Sequence, residues 1–360
     1  MLRRGSRIDT HGQLARLEQT GFFDPQAAEY QKHSKDAPER VISRGYVPAA
    51  HSGAATSVFA ELRHVAGQLE SLFSDTSIEL EPMVRALASA IARCCSLDSD
   101  ASLAFLLAPS PHEHKVRQPV SVATLVTTIL ARQKHSEERI ASAAAAALTM
   151  NIGALELHQE LYYQAEGLTS EQLATIRAHP QKSIAVLRER GVRDSLWLQI
   201  VAEHHEARDG SGYPQALREN DILLEAQVVS LADRYCAMIS GRAQREALLP
   251  PQALKEIHAR HGKSIDPALI SGLILTMGLY PPGTCVRLAN GEFAVVVHRL
   301  LDPKHPVVFA ICSSSGSPYD PPRKRLTATP PLHAIEKAVP SKTVPVPIDP
   351  EVLWPPTIGD

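Results

Sequence analysis

The spacing of hydrophobic residues is helical over most of the chain and becomes strand-like near its C-terminal end. Segments 57–73 and 82–97 place apolar residues three and four positions apart, which predicts two amphipathic helices. From 119 to about 278 the same spacing predicts further helices over 119–133, 136–153, 168–190, 194–207, 226–240 and 250–262. We therefore predict a mainly α fold.

Local signals agree with several of these helix ends. Ser136 precedes an acidic first turn and is a suitable N-cap. Thr169 with Gln172 three residues later is a capping-box pattern. The segment 250–262 begins with proline and ends with glycine, the usual asymmetry of a helix.

After Gly278 the pattern alternates with period two. Segment 283–301 contains two strand-like runs around Ala-Asn-Gly, which predicts a β-hairpin, and 305–318 adds a third strand. These runs predict a small β unit of antiparallel strands.

These patterns divide the chain into five parts. We expect an N-terminal arm over 1–55, partly disordered, followed by helices over 56–110 that provide a packing surface or a homodimer surface. The main helical domain is predicted over 111–278 and the small C-terminal β unit over 279–325. The Pro-rich tail, 326–360, is expected to be extended or disordered.

Composition narrows the function classes. The chain has 360 residues and a net charge of -2, with 37 Lys+Arg against 39 Asp+Glu, so charge gives no reason to expect nucleic acid or a membrane surface as partner. The basic N-terminal segment lacks an apolar core, and no apolar run reaches eighteen residues, so neither a signal peptide nor a membrane span is expected. The five cysteines include no CxxC pair, which favours a reducing cytoplasm.

Histidines are the candidate chemistry. Seven of the 16 lie in polar or turn contexts and are expected to be solvated: His33, His51, His64, His112, His114, His135 and His158. His204 and His205 differ, because they end an apolar helix and open the stretch HHEARDGSGYP. A polar pair there either interacts with the last helix carbonyls or binds a metal.

Two further residues favour the metal. His179 lies within the preceding helix, and Asp233 lies inside an apolar helix, where an unpaired carboxylate is costly. Three histidines and one carboxylate on neighbouring helices suit zinc, manganese or iron. The alternative for Asp233 is an ion pair with an arginine: Arg208, Arg234 or Arg242.

The stretch HHEARDGSGYP resembles the HHExxDGxGYP signature of the HD-GYP family, a branch of the HD-domain metal phosphohydrolases. The resemblance covers roughly residues 118–245. It implies an all-helical domain that holds two or three iron or manganese ions and hydrolyses cyclic di-GMP. It also implies that the loop after the paired histidines contacts GGDEF-type cyclase domains.

Carried over by position, the resemblance assigns three groups of residues. His179, His204, His205 and Asp233 occupy metal-ligand positions, and Arg242 and Arg245 occupy phosphate-contacting positions. The loop that we call the GYP loop carries the remaining signature residues: Glu206, Asp209, Gly210, Gly212, Tyr213 and Pro214.

The departures from the family fall on one half of the metal centre. Met150-Asn151 replaces the HD dyad, Ala154 replaces a lysine, and Gln118 replaces a histidine. Asparagine is neutral and a poor bridge between two cations, and methionine sulfur prefers soft metals. We therefore expect at most one metal site, for iron or manganese, and little phosphodiesterase activity.

Three functions remain open at this stage. The chain is a non-catalytic signalling module that binds a GGDEF-type cyclase domain through the GYP loop, or a sensor that binds cyclic di-GMP or a single metal. The third alternative is a residual phosphodiesterase with one metal, using Glu206 or Asp209 as base. The structural alternative is that Asp209 caps the turn and Glu206 orients a ligand histidine.

Overall fold

The structure is a computed structural model that describes residues 55–243, 245–261, 264–328 and 332–358. The chain divides into two units, 1–44 and 45–360, and all described residues belong to the second. The predicted N-terminal arm, 1–55, lies almost wholly outside the described residues. The helices are α1 (Val58–Ser74), α2 (Leu80–Leu97), α3 (Ser99–Ala104), α4 (His114–Arg132), α5 (Glu137–Thr149), α6 (Leu155–Tyr163), α7 (Ser170–Glu189), α8 (Ser195–Glu203), α9 (Leu224–Ser240), α10 (Pro250–His261), α11 (Pro267–Met277) and α12 (Pro350–Leu353).

Helices α4 and α5 form the centre of the helical part. All side chains from Ser142 to Thr149 on α5 are buried, and the alanine run lets neighbouring helices approach closely. The segment Glu137–Tyr163 is apolar enough to cross a membrane by length and composition. A 3-10 turn at Ile152–Ala154 interrupts it, however, and 67% of its apolar window is buried inside the fold, as in a core helix.

The predicted helix starts agree with the capping contacts. Ser136 Oγ accepts the backbone N–H of Arg139, and Thr169 with Gln172 forms the full capping box at α7. Helix α8 ends at Glu203, so that His204 is its C-cap rather than an internal residue. This position at the helix end lets two successive histidines face one site.

The β unit is a five-stranded antiparallel sheet, larger than the three strands predicted. Its strands are β2 (Cys285–Leu288), β3 (Phe293–His298), β4 (Val307–Cys312), β5 (Pro318–Leu326) and β6 (Ile335–Ala338), in the order β5-β4-β3-β2-β6. The hairpin predicted at Ala-Asn-Gly is confirmed, since β2 pairs with β3 and Gly291 has a φ of 85°.

The prediction of an extended or disordered tail is wrong for residues 332–358. Strand β6 joins the sheet, and β7 (Thr357–Ile358) pairs antiparallel with β1 (Ala55–Thr56). The Trp354 ring packs 5.6 Å from Phe59 and donates its Nε1–H to the Val297 carbonyl. The prolines thus do not prevent order, because a buried tryptophan anchors the segment to the core.

Candidate metal centre

Three histidines from two helices meet at one point. His179 lies in the middle of α7, and His204 and His205 follow the last turn of α8. One ring nitrogen from each lies within 4.8 Å of the other two. In the described part of the chain this is the group of His, Cys, Asp and Glu side chains that suits a metal ion.

The hydrogen bonds fix which nitrogens face the site. His179 Nδ1 lies 2.6 Å from the Ile176 carbonyl and His204 Nδ1 lies 2.8 Å from the Val201 carbonyl. A carbonyl only accepts, so each Nδ1 carries the proton and each Nε2 presents a lone pair. The two Nε2 atoms lie 3.1 Å apart. A cation or a proton between them relieves the repulsion of these lone pairs.

Burial keeps these histidines neutral. It lowers the pKa of His179 to about 4 and the pKa of His204 to about 3, and neighbouring imidazoles lower both further. Burial also lowers the pKa of His205 well below its ordinary value. Neutral imidazole is the form that binds a metal, so the site is ready at neutral pH without loss of a proton.

Asp233 lies beside the three histidines, and its carboxylate is held by an amide. Gln118 Nε2 donates to Asp233 Oδ1 at 3.0 Å. Burial raises the pKa of Asp233, against the opposing effect of this bond and of nearby positive charge. The alternative ion pair with Arg208 is excluded, because Arg208 pairs with Asp266 instead.

The GYP loop is built around a buried glutamate. Glu206 accepts the backbone N–H groups of Gln215 at 2.6 Å and Leu217 at 3.0 Å, and is only 3% exposed. A Cβ on Gly212 would lie 2.3 Å from the Ala207 nitrogen, so only glycine fits there. Tyr213 stacks on His205 with ring centroids 4.8 Å apart. The loop therefore supports the His205 side of the site.

These contacts correct one expectation and support another. Glu206 neither orients a ligand histidine nor is available as a base, because both its oxygens bind loop amides. Asp209 is exposed and accepts the N–H and hydroxyl of Ser211 at 3.0 Å and 2.6 Å, the turn cap that the sequence allowed. Gly210 has a φ of 78°, and Pro214 follows a cis bond from Tyr213.

Comparison with known proteins places this geometry in a family. Residues 74–269 match the HD domain family. The chain belongs to that family. The predicted mainly α fold of HD-GYP type, with N-terminal helices and a small C-terminal β unit, is confirmed.

Relatives within the HD domain family are described as nucleotide phosphodiesterases. The chain is 24% identical to the Pseudomonas aeruginosa protein "Cyclic di-GMP phosphodiesterase PA4108", over 76% of this chain and 69% of the relative. It is 30% identical to the Xanthomonas campestris "Cyclic di-GMP phosphodiesterase response regulator RpfG", over 39% of this chain and 37% of that protein. The HDG"Y"P protein Bd1817 of Bdellovibrio bacteriovorus shares the fold, with a TM-score of 0.52, 18% identity and coverage of 76% and 88% of the two chains.

Met150, Asn151 and Ala154 lie at the turn after α5. Met150 is 1% exposed and joins the hydrophobic core, and its carbonyl accepts the Ser183 hydroxyl at 2.7 Å. Asn151 is 8% exposed, and its Oδ1 has no hydrogen-bond partner among the described residues. Ala154 is buried. None of these side chains brings a negative charge to the site.

Two arginines of the HD domain follow α9. Arg242 is exposed. Burial lowers the pKa of His114 and of His158, and the positive charge of Arg242 lowers both further. Arg245 donates to the Ala237 carbonyl at 3.0 Å and so caps α9. Arg242 is therefore the better placed of the two for a phosphate.

Two histidines were wrongly expected to be solvated. His114 is 9% exposed and stacks on Tyr162 at 4.2 Å, and the ring of His158 lies 5.3 Å from that of His179. His114 is buried and His158 is half-buried, which their polar sequence context did not indicate. The signal that was present is the four-residue spacing of His158 and Tyr162, which puts both on one face of α6.

The residues present fit a metal ion. Three neutral imidazoles are a usual ligand set for zinc or iron. His179, His204 and His205 would hold the ion.

Proposed function

We propose that this chain is an HD-GYP-type protein of cyclic di-GMP signalling that binds the nucleotide and hydrolyses it little or not at all. The observation that carries the proposal is the 3.0 Å hydrogen bond from Gln118 to Asp233. The Gln118 amide donates to one oxygen of the carboxylate beside the three histidines, at the place where a two-metal enzyme needs a further metal ligand.

The charge balance supports impaired hydrolysis. Two divalent ions four ångströms apart or less repel one another strongly, and a shared carboxylate reduces that repulsion. Asn151 is neutral, and Met150 is packed into the core away from any ligand role. The half of the centre that Gln118, Met150 and Asn151 would form therefore offers no anionic ligand.

His179, His204 and His205 provide three ligands for one metal ion. When bound, the ion would supply a positive charge that favours an anionic ligand nearby. Asp233 lies close enough to compensate part of its charge. We propose a single divalent ion, with iron or zinc favoured over manganese, since an all-imidazole set lacks the oxygen ligands that manganese prefers.

Nucleotide binding is the function that this geometry supports best. The exposed Arg242 guanidinium lies near His114 and His158, where it can pair with a phosphate. The relatives PA4108 and RpfG are described as cyclic di-GMP phosphodiesterases. We therefore propose cyclic di-GMP as the ligand, with Arg242 as a phosphate contact.

The GYP loop supports a second role in protein contact. Its anchor Glu206 is buried, while Ser211, Pro214 and residues 218–221 are exposed. A rigid loop with an exposed outer face suits recognition of a protein. We propose a GGDEF-type cyclase domain as its partner, a contact tested by pull-down with the loop variant Pro214→Ala.

A residual metal-dependent phosphodiesterase is the alternative. One observation favours it, namely that the Nε2 atoms of His179 and His204 still face one another at 3.1 Å. Neither carboxylate of the GYP loop supports it as a base, because Glu206 binds loop amides and Asp209 caps its own turn.

Calorimetric titration with cyclic di-GMP, followed by chromatography of the nucleotide, separates these functions. We expect at most one cyclic di-GMP molecule to bind per protein chain, and the nucleotide to be recovered intact. Arg242→Ala should weaken binding roughly tenfold, as expected for loss of a charge-assisted phosphate contact. Arg323→Ala, an exposed arginine on β5, is the matched control and should bind normally. Absence of binding would overturn the proposal.

A further inference from the structure

His158 has a buried nitrogen that no described residue bonds. Its Nε2 is shielded from solvent and has no hydrogen-bond partner among the described residues. A buried polar atom without a partner is unfavourable and therefore rare in native proteins. Such an atom beside a metal centre points to a ligand.

The ring of His158 stands directly beside the three-histidine group. Its centroid lies 5.3 Å from that of His179, with the ring planes at 84°. It is also close enough to interact electrostatically with His204 and His205. His158 thus stands next to the group of three histidines, each of which has a nitrogen within 4.8 Å of the other two.

Contacts before and after His158 along α6 fix the position of this residue. Lys115 donates its backbone N–H to Gln159 Oε1 at 3.0 Å, and its ammonium group lies 2.9 Å from Glu156. One turn later, the carbonyl of Tyr162 accepts the N–H of Ala243 at 3.1 Å. The helix is therefore fixed against α4 and against the turn after α9, which limits the positions open to the His158 ring.

We propose that His158 is a fourth nitrogen ligand of a single divalent metal ion bound by His179, His204 and His205. The inference rests on the proposed single-metal function and deepens it. Four neutral imidazoles can complete a tetrahedral ligand set for a borderline ion such as zinc, iron or cobalt. The ligand comes from α6, outside the helices that carry the other three, and satisfies the buried nitrogen.

This ligand set has a chemical consequence. A structural metal site is closed by four protein ligands, whereas a catalytic site keeps a position open for water. With His158 bound, that position is taken by protein. The same residue that stabilises the ion therefore removes the place at which a reactive water would bind, in agreement with binding rather than hydrolysis.

The test is titration of the metal-free full-length protein with Co²⁺, followed by visible absorption. We expect one Co²⁺ per chain with the intense bands of a four-coordinate ion. His158→Gln should weaken Co²⁺ binding at least roughly tenfold and weaken these bands, since even outer partners of metal ligands contribute 10- to 100-fold. His64→Gln, which removes an exposed histidine on α1, is the control and should leave both unchanged.

A second variant guards against misfolding of the first. His158→Cys replaces one ligand by another, and a bound thiolate adds a sulfur-to-cobalt charge-transfer band in the near ultraviolet. Appearance of that band supports the proposal.

Two results would overturn it, and they are distinguishable. Unchanged affinity and spectrum in His158→Gln, with no new band in His158→Cys, would exclude His158 as a ligand and leave the three-histidine site intact. Failure of the unaltered protein to bind Co²⁺ would exclude the metal site itself, and with it the single-metal part of the proposed function.

Discussion

His179 and His204 present their Nε2 lone pairs to one another across 3.1 Å, while each donates Nδ1–H to a backbone carbonyl. The carbonyls come from Ile176 and Val201, each three residues earlier on the same helix, so the helices themselves set the tautomers. The protein thus holds two neutral imidazoles with both Nε2 lone pairs directed at one position, as for two ligands of one metal ion.

This geometry predicts a pH-dependent stability of the metal-free protein. The pKa of His204 is about 3 and that of His179 about 4 when folded, against about 6.5 for an unfolded histidine. Below pH 6.5 the unfolded chain binds protons that the folded chain does not, so stability is greatest above this pH and falls toward pH 4. For each of these two histidines, the free energy of unfolding decreases by up to about 1.4 kcal/mol for every pH unit below 6.5.

Urea unfolding from pH 7.5 to pH 4.5 measures this loss. His204→Phe removes one titrating group and should flatten the profile, whereas His64→Gln should not. A profile of His204→Phe parallel to that of the unaltered protein would contradict the assignment.

Restoring the substituted ligands should restore the second metal. In the triple variant Gln118→His, Met150→His and Asn151→Asp, the bridging charge returns and Asp233 is released from the amide. We expect two metals per chain and a rise of roughly 100-fold or more in cyclic di-GMP hydrolysis, as expected when lost transition-state stabilisation is regained.

The single variant Gln118→His is the matched control, because it frees Asp233 without adding the bridge, and should show no such rise. Elemental analysis and nucleotide chromatography measure both outcomes. A second metal in the triple variant without any gain in turnover would show that the missing ligands are not what limits hydrolysis.

Much of the fold was predictable because local signals agreed with the global arrangement. The capping box at Thr169 and the hairpin at Asn290-Gly291 depend on neighbouring residues, and both appear as predicted. The ordered tail was not predictable, because Trp354 packs against Phe59, which lies almost 300 positions earlier in the sequence. The composition showed that the tail is rich in proline, but it did not indicate that Trp354 packs against the core.

The candidate site shows the same division. The signature after His204 identified residues whose spacing along the chain is fixed. The bond from Gln118 to Asp233 and the approach of His158 to His179 join residues from separate helices. The four-residue spacing of His158 and Tyr162 places both on one face of α6, but only the packing of α6 against α4 brings the His158 ring to His179.

The GYP loop should not tolerate a methyl group at Gly212. A Cβ there would lie 2.3 Å from the Ala207 nitrogen and 2.5 Å from Glu206 Cα, both backbone atoms that cannot move independently. Gly212→Ala should lower the free energy of unfolding by roughly 1–3 kcal/mol through overpacking. Thermal unfolding measures this, with Gly167→Ala as control, since a Cβ at Gly167 meets nothing within 4 Å. Equal melting temperatures for the two variants would contradict the close packing.

The C-terminal segment should contribute to the stability of the core. Trp354 is 6% exposed and packs against Phe59 with its Nε1–H bound to the Val297 carbonyl. Trp354→Ala should cost about 3–5 kcal/mol, as for other buried aromatic residues. Val352→Ala, at an exposed position of α12, is the control and should cost little. A loss of less than about 1 kcal/mol for Trp354→Ala would show that the tail is dispensable for the core.

The most direct test of the central claim is the metal content of the purified protein, measured together with cyclic di-GMP hydrolysis in added iron and manganese. The ligand set of His179, His204 and His205, with Gln118 bound to Asp233, predicts at most one metal per chain and intact nucleotide after prolonged incubation. Two metals per chain with steady conversion to linear products would contradict it, because a bridging ligand would then exist where the structure has Asn151.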